Sequence, residues 1–333
     1  MEVMTRAQWM LTGLVLAAML AMPLVLPNFW LSGILGRSLV YGIVALSLTF
    51  LASYGGFISL AQTMVAGVAG YTVAVLAPTA IPASGSAVSY WIAMPVAVIA
   101  ATAAGGLIGL IAVRTRDIYL LMITLALAVG FSLFAQSNID WFNGYEGIRN
   151  VIGPQIFGLP FRAHIVFYYV ALTVATLLYL MVLYVVRTPF GLTLQGIRDN
   201  PRRVAALGFN VALHRIAAFA LAGFIAGCGG VLITFYNIGI TPSSIGMSAT
   251  VNVLVMSVIG GLGHPVGAFV GAIIFTLMDT FAATIYDRDR FNTLIGLVFL
   301  VIVVASPDGV LGIGKRLFSW GKPQGKGRQT AMS

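Results

Sequence analysis

Apolar runs of about the 20 residues that a helix needs to cross a bilayer recur along this chain, and its charges fall between them. Only 8% of its residues are charged, against roughly 25% in a soluble domain. Backbone polar groups in hydrocarbon must bond within the protein, so runs of this length fold as helices. The expected fold is an all-α integral membrane protein, a polytopic helix bundle of about ten transmembrane helices. The spans are placed near 8 to 26, 37 to 53, 57 to 77, 90 to 112, 118 to 136, 164 to 186, 216 to 237, 249 to 262, 266 to 285 and 292 to 306. The eighth is short, and its exit, Gly260-Gly261-Leu262-Gly263-His264-Pro265, leaves 249–266 readable as a full span or a re-entrant helix. Residues 1–314 read as one transmembrane domain and 315–333 as a basic, disordered tail. Arg6 and the run after it resemble a signal peptide, but Pro23 to Trp30 offers no small-residue cleavage site, so the first helix is expected to be retained.

Orientation comes from the polar segment 187–215, RTPFGLTLQGIRDNPRRVAALGFNVALHR. Arg187, Arg198, Arg202, Arg203 and Arg215 face a single acid, Asp199, which places the segment on the cytoplasmic side. Ten spans then put both termini inside. Thirteen basic residues fall inside and five outside, the five being Arg37, Arg149, Arg162, Arg288 and Arg290. The net charge of +9 is therefore topological, and no nucleic-acid partner is implied. Within the segment, Leu192, Leu194, Ile197 and Val204 space apolar residues along an amphipathic helix, and Asn200-Pro201 breaks it. Asn200 is placed to cap a second short helix that begins at Pro201 and stops at Gly208. The segment is either a docking surface or a basic loop that only sets topology.

Catalytic constellations are missing from the sequence. His164, His214 and His264 are scattered over span ends, giving no metal site, and Cys228 lies alone in an apolar run. Gly309 to Lys315 has phosphate-loop spacing, but Arg316 stands where Ser or Thr should hold magnesium, and no strand precedes it. No catalytic residue and no bound cofactor are expected. An ion-driven carrier needs intramembrane acids or bases, and Asp279, near the outer end of the ninth span, is the candidate for that alternative. A scaffold without transport is a further reading.

Polar residues inside spans carry more information. Ser59, Gln62 and Thr63 follow the Gly55-Gly56 break, Thr124 lies in the fifth span, and Asn252 and Ser257 lie in the eighth. A solute leaving water must exchange its hydration for protein hydrogen bonds, so as a group these residues are candidates for a translocation path. Individually, each is as readily explained by interhelical hydrogen bonding, worth about 0.6 kcal/mol on average. The long outer loop 137–162, rich in Gly, Asn and Pro, adds Asn143, Gly144, Glu146 and Gly147 as places to meet a solute or an external partner.

Four segments from about Leu39 to Gly312 carry a family resemblance. Ser53-Tyr54-Gly55-Gly56 through Ser59-Leu60-Ala61-Gln62 resembles G-Y-x-G-x-x-S-L-G-[HQ], and Arg114-Thr115-Arg116-Asp117-Ile118-Tyr119 resembles L-R-x-R-G-x-Y. Val258-Ile259-Gly260-Gly261-Leu262-Gly263 with Gly267-Ala268 resembles V-I-G-G-x-G-x-x-x-G-A. These, with Gly191 to Gly208, are similar to the permease subunits of ABC importers for branched-chain amino acids, specifically the LivM-like member of the permease pair. The resemblance implies a bacterial inner-membrane protein with four kinds of partner: a second homologous permease subunit, two cytoplasmic ATPase subunits that hold the ATP and magnesium, an extracytoplasmic solute-binding protein and membrane lipid. It also implies an ATPase-docking role for Gly191, Ile197, Arg198, Asp199, Asn200, Arg202, Ala205, Ala206, Gly208 and Asn210, with Arg198 and Arg202 making charged contacts and the small residues allowing close packing. Two departures fall where a solute would be sensed: Val129 replaces a common acid, and Phe142-Asn143-Gly144-Tyr145-Glu146-Gly147 stands for T-G-G-x-[DN]-G. Related urea and amide importers share the scaffold, so the resemblance leaves the solute open.

Overall fold

The computed structural model describes residues 19–24, 26–80, 88–115, 117–155, 158, 160–161 and 163–285, with isolated positions 296, 300, 309, 310 and 312. Helix α1 (Phe29–Gly55) is continuous, with π geometry at both ends, Phe29–Gly36 and Leu51–Gly55. It is followed by α2 (Gln62–Leu76), α3 (Tyr90–Arg114), α4 (Asp117–Ser137) and the single turn α5 (Ile139–Phe142). Next come α6 (His164–Arg187), α7 (Pro189–Asp199), α8 (Pro201–Ala206) and α9 (Val211–Tyr236). A 3₁₀ turn at Pro242–Ile245 leads into α10 (Met247–Gly260), and α11 is Pro265–Ile285. Strands β1 (Ile148–Arg149) and β2 (Gly239–Ile240) pair antiparallel, Ile148 opposite Ile240, and tie the long loop to the end of α9.

Among the described residues six segments are long and apolar enough to cross a membrane: Phe29–Gly55, Tyr90–Arg114, Ile118–Ser137, His164–Arg187, Val211–Tyr236 and Pro242–Gly260. Gln62–Leu76 and Pro265–Phe281 are apolar but shorter. The second to ninth predicted spans thus have helical counterparts. The first, 8–26, and the glycine-rich run at 309–315 lie mostly outside the described residues, the tenth, 292–306, almost wholly so, and the tail at 315–333 wholly so.

Three boundaries differ from expectation, each for a physical reason. Helix α1 begins at Phe29 rather than 37, so Arg37 is a helix-interior residue rather than an outer-loop charge. Asp279 of α11 pairs with it at 2.6 Å, which lets the guanidinium sit within the bundle. The third span is helical only over Gln62–Leu76, because Gly56 adopts φ 71° and ends α1, leaving a non-helical stretch. At 15 residues that helix rises about 22 Å, less than the roughly 30 Å core. The glycine-rich exit of the eighth span is a tight turn: Gly261 takes φ 107°, α11 starts at Pro265, and the two helices pack as a hairpin.

Helix α9 is the centre of the bundle, packing most extensively on α3, then on α2 and α1. Lipid is as apolar as leucine, so helices in a membrane associate through close van der Waals approach, which small side chains permit. Ala101, Gly105 and Gly109 on α3 face Phe219, Gly223 and Gly227 on α9 at four-residue spacing. A Cβ on Gly105 would stand 2.6 Å from the Phe219 carbonyl oxygen and 2.9 Å from Gly223 Cα, and one on Gly227 would stand 2.6 Å from Ala101 Cβ. The α10–α11 hairpin repeats the device: a Cβ on Gly271 would lie 2.8 Å from the Gly260 nitrogen. The V-I-G-G-L-G motif is therefore a backbone-to-backbone contact in this structure.

Gly105→Leu is expected to destabilise the purified protein by about 1–3 kcal/mol through overpacking. Gly130→Leu, on α4 with nothing within 4 Å of its Cβ position, should match or exceed the parent. Thermal unfolding of the two variants side by side checks this.

Candidate translocation path and docking segment

Three side-chain caps build the arginine-rich segment. Thr188 Oγ1 accepts from Gly191 N (3.4 Å) at the start of α7, Asn200 Oδ1 from Arg203 N (3.1 Å) at α8, and Asn210 Oδ1 from Leu213 N (3.1 Å) at α9. Pro189 and Pro201 occupy first-turn positions, where a missing N–H costs nothing. The inner face of α7 buries Thr193, Leu194 and Ile197, and α8 buries Val204. Gly191 is pressed on the preceding helix, its Cβ position 2.5 Å from Val186 Cα. Arg202, Arg203, Ala205, Ala206, Leu207 and Phe209 face outward, Leu207 being 76% exposed. Gly208 takes φ 89° in open space, so within the chain its requirement is conformational rather than steric.

Arg198 does more than carry surface charge. Its Nε donates to Asp199 Oδ1 (3.3 Å), and its Nη1 donates to the Ser53 carbonyl oxygen in the last turn of α1. A cation there complements the unsatisfied carbonyl end of the helix. Its stem lies on Gly56, where a Cβ would stand 2.6 Å from Arg198 Cγ. Ser53 Oγ in turn donates to the Leu262 carbonyl oxygen in the α10–α11 turn. One residue at the end of α1 thus joins the outlying helix pair to the glycine hairpin.

Beyond Gly56 the chain runs non-helical to α2, and its polar groups are met by side chains. Thr124 Oγ1 on α4 accepts from Leu60 N (3.1 Å), and the buried Ser59 Oγ accepts from Ala61 N (3.4 Å). At the top of α2, Gln62 Oε1 accepts from Ser47 Oγ of α1 (3.1 Å), and Thr63 Oγ1 lies 2.6 Å from Thr250 Oγ1 of α10. Ser257 Oγ reaches the Ala45 carbonyl oxygen (3.3 Å). The structure therefore gathers Ser59, Gln62, Thr63 and Thr124 around the broken span. Asn252 is half-buried and stands apart: two residues from Thr250, it lies about 200° around α10.

At the opposite end, Asn143, Gly144 and Gly147 form the turn that carries β1. Asn143 adopts φ 58° and its Nδ2 donates to the Gly147 carbonyl oxygen (2.8 Å), while Gly147 takes φ 67° with a Cβ position 2.8 Å from Thr241 Cα. Glu146 is exposed, 3.9 Å from Arg149. The ribbon, with Asn150, Asn237 and Ser244, walls an open cavity of about 390 Å³. Beneath it, sharing Ile240 and Ser244, a crevice of about 30 Å³ reaches Thr63. That crevice admits a water or two and no larger solute. A second open cavity, about 490 Å³, lies at the arginine-rich end between Gly55–Phe57 and Arg198, Arg202 and Arg215. Among the described residues, hydrogen-bonded Ser, Thr and Gln side chains thus lie between these two open cavities.

A family model described as branched-chain amino acid transport system / permease component matches residues 30–304. The chain belongs to this family. The permease is 22% identical to LivM, the high-affinity branched-chain amino acid transport system permease protein of Salmonella typhimurium, over 88% of its own length and 72% of the relative's. It is 24% identical to LivH of the same bacterium over 65% of its length and 72% of the relative's. It is also 21% identical to the ribose import permease protein RbsC of Haemophilus influenzae, over 85% of each chain. No solved structure gives a significant match. The permease is thus a multi-pass transport subunit of the ABC type rather than an enzyme, and its likeness to both LivM and LivH implies a permease pairing.

Sequence reasoning missed Ser47, Thr250 and the pairing of Arg37. A lone Ser or Thr in an apolar run ordinarily bonds its own helix backbone, as Thr250 also does to the Gly246 carbonyl oxygen (3.1 Å), so nothing local distinguishes one that also bridges helices. Asp279, raised as an ion-coupling acid, is held by Arg37, whose guanidinium also lies 5.6 Å over the Tyr41 ring. Asp279→Asn should retain ATP-dependent uptake while lowering the folded yield, since Arg37 keeps an acceptor but loses its counter-charge. Arg37→Met combined with Asp279→Leu should recover that yield. Membrane abundance and uptake measured together check both outcomes.

Proposed function

We propose that this chain is the LivM-type half of a permease pair in the inner membrane of a bacterium, carrying branched-chain amino acids or a related small polar solute inward. A solute-binding protein delivers the solute to the outer vestibule, and two cytoplasmic ATPase subunits, which hold the ATP and magnesium, dock on α7 and α8. The resemblance to LivM and LivH supports the amino-acid class. The likeness to a ribose permease, and the family's urea and amide importers, are the reasons to test other solutes. The crevice beneath the ribbon is too narrow for a solute. The passage in this reading lies between the chain and its paired permease, along α4, which leaves most of its surface open.

The observation that carries the reading is the bond from Arg198 to the broken end of α1. Movement of α7 by the ATPases pulls on Ser53, and through it on the α10–α11 turn and the non-helical stretch that leads to Gln62 and Thr63. ATP closure shifts the equilibrium only as far as it contacts the two states differently, and this linkage gives it a path to the polar residues. The secondary-carrier alternative is disfavoured by the ion pair that holds Asp279.

The test is reconstitution of the chain with its paired permease, ATPases and binding protein in liposomes, measuring uptake of leucine and of ribose alongside ATP hydrolysis. Arg198→Ala should assemble and hydrolyse ATP while uptake per ATP falls about 10-fold or more, as expected for loss of a hydrogen bond from a charged group. Parent-like coupling in Arg198→Ala would reduce the segment to a topological anchor. Ribose uptake without leucine uptake would move the solute class.

A further inference from the structure

We propose that the cavity at the arginine-rich end of the bundle binds a phosphate-bearing anion, the headgroup of an anionic phospholipid. Its walls are the ends of three spans: Gly55–Phe57 at the end of α1, Val113 and Thr115 at the end of α3, and Val211 and Arg215 at the start of α9. Arg198, Arg202 and Ala205 of the helix pair close it on the outside. Residues where spans end lie at the depth of the lipid phosphates, on the side that the positive-inside rule makes cytoplasmic.

Charge and shape both select this occupant. Three guanidiniums line a volume of about 490 Å³, and among the described residues no Asp or Glu lines it. Asp199 lies beside it and is bonded to Arg198 at 3.3 Å. Arg215 lies over the Phe57 ring, 4.9 Å from guanidinium carbon to centroid, a contact that holds its guanidinium at the cavity wall. Planar guanidinium groups match phosphate oxygens in pairs. The remaining wall, Phe57, Val113, Ile197 and Val211, is apolar and suits the glycerol and upper acyl carbons of a lipid better than a free anion. Basic pockets between spans on the cytoplasmic side are recurrent sites for acidic headgroups. The inference rests on the charge orientation of the chain and is independent of the coupling role of Arg198.

Full-length protein in neutral detergent is titrated with short-chain phosphatidylglycerol, with phosphatidylcholine of the same chain length and with inorganic phosphate, and bound ligand is read by native mass spectrometry. Phosphatidylglycerol is expected to bind and phosphatidylcholine not, with affinity falling as salt rises. Arg202→Gln should weaken phosphatidylglycerol roughly 5-fold, and Arg202→Gln with Arg215→Gln roughly 25-fold, at about one arginine's worth of attraction each. Arg202→Lys should retain binding. Arg202 is exposed, so the single variants decide the matter if the double variant does not fold. Equal binding of both lipids, or unchanged affinity in Arg202→Gln, overturns the proposal. Inorganic phosphate binding as tightly as the lipid overturns the lipid as occupant. Loss of co-purifying ATPase in Arg202→Gln with lipid affinity intact assigns the cavity to an acidic protein segment and overturns it as well.

Discussion

In the hydrocarbon of a bilayer a polar group has no water to fall back on, and the architecture of this permease follows from pairing each one inside the protein. Where helix is continuous, the backbone pairs itself. Where it is not, between Gly56 and Gln62, side chains from elsewhere take over, and Thr124 on α4 receives the amide of Leu60. The same constraint draws Arg37 to Asp279 and Thr63 to Thr250, each pair linking helices far apart in the chain. A break in a span is therefore tolerated only where neighbouring spans have been recruited to satisfy it.

Two kinds of contact divide the bundle. At the α3–α9 and α10–α11 crossings, glycine lets backbone lie on backbone, and such contacts have no slack because a carbon added at Gly105, Gly223, Gly260 or Gly271 meets main chain. Around the broken span the contacts are side-chain hydrogen bonds, which can be exchanged for bonds to a passing solute. The polar pairs lie beside α10, one partner of the glycine hairpin, with Thr63 of α2 bonded to Thr250 of α10.

The outlying helix pair α7–α8 is more than a surface appendage, because one of its arginines bonds inward. Arg198 meets the carbonyl end of α1, and the hydroxyl of the same acceptor residue bonds the turn after α10. The exposed side of the pair, with Leu207, Phe209, Arg202 and Arg203, is left for contact with other molecules. The segment therefore has an inward face bonded to the bundle and an outward face open to solvent, the arrangement that the proposed docking role requires.

By itself the sequence determined what is local. Hydropathy over a window of one span's length located helices at the second to ninth predicted spans, six of them long and apolar enough to cross a membrane, since crossing hydrocarbon is a demand each segment meets alone. Asn200-Pro201 and Gly208 bounded α8, because a cap and a left-handed glycine act within a turn of where they stand. The polar residues of the spans were visible as a set, without their partners. Only the tertiary structure decided that Arg37 lies inside α1, that Ser47 and Thr250 complete the polar pairs, and that Arg198 faces its own bundle. Each of those depends on a group brought near by the packing of remote helices, and a charge in an apolar run reads as a span boundary until the opposite charge that neutralises it is found.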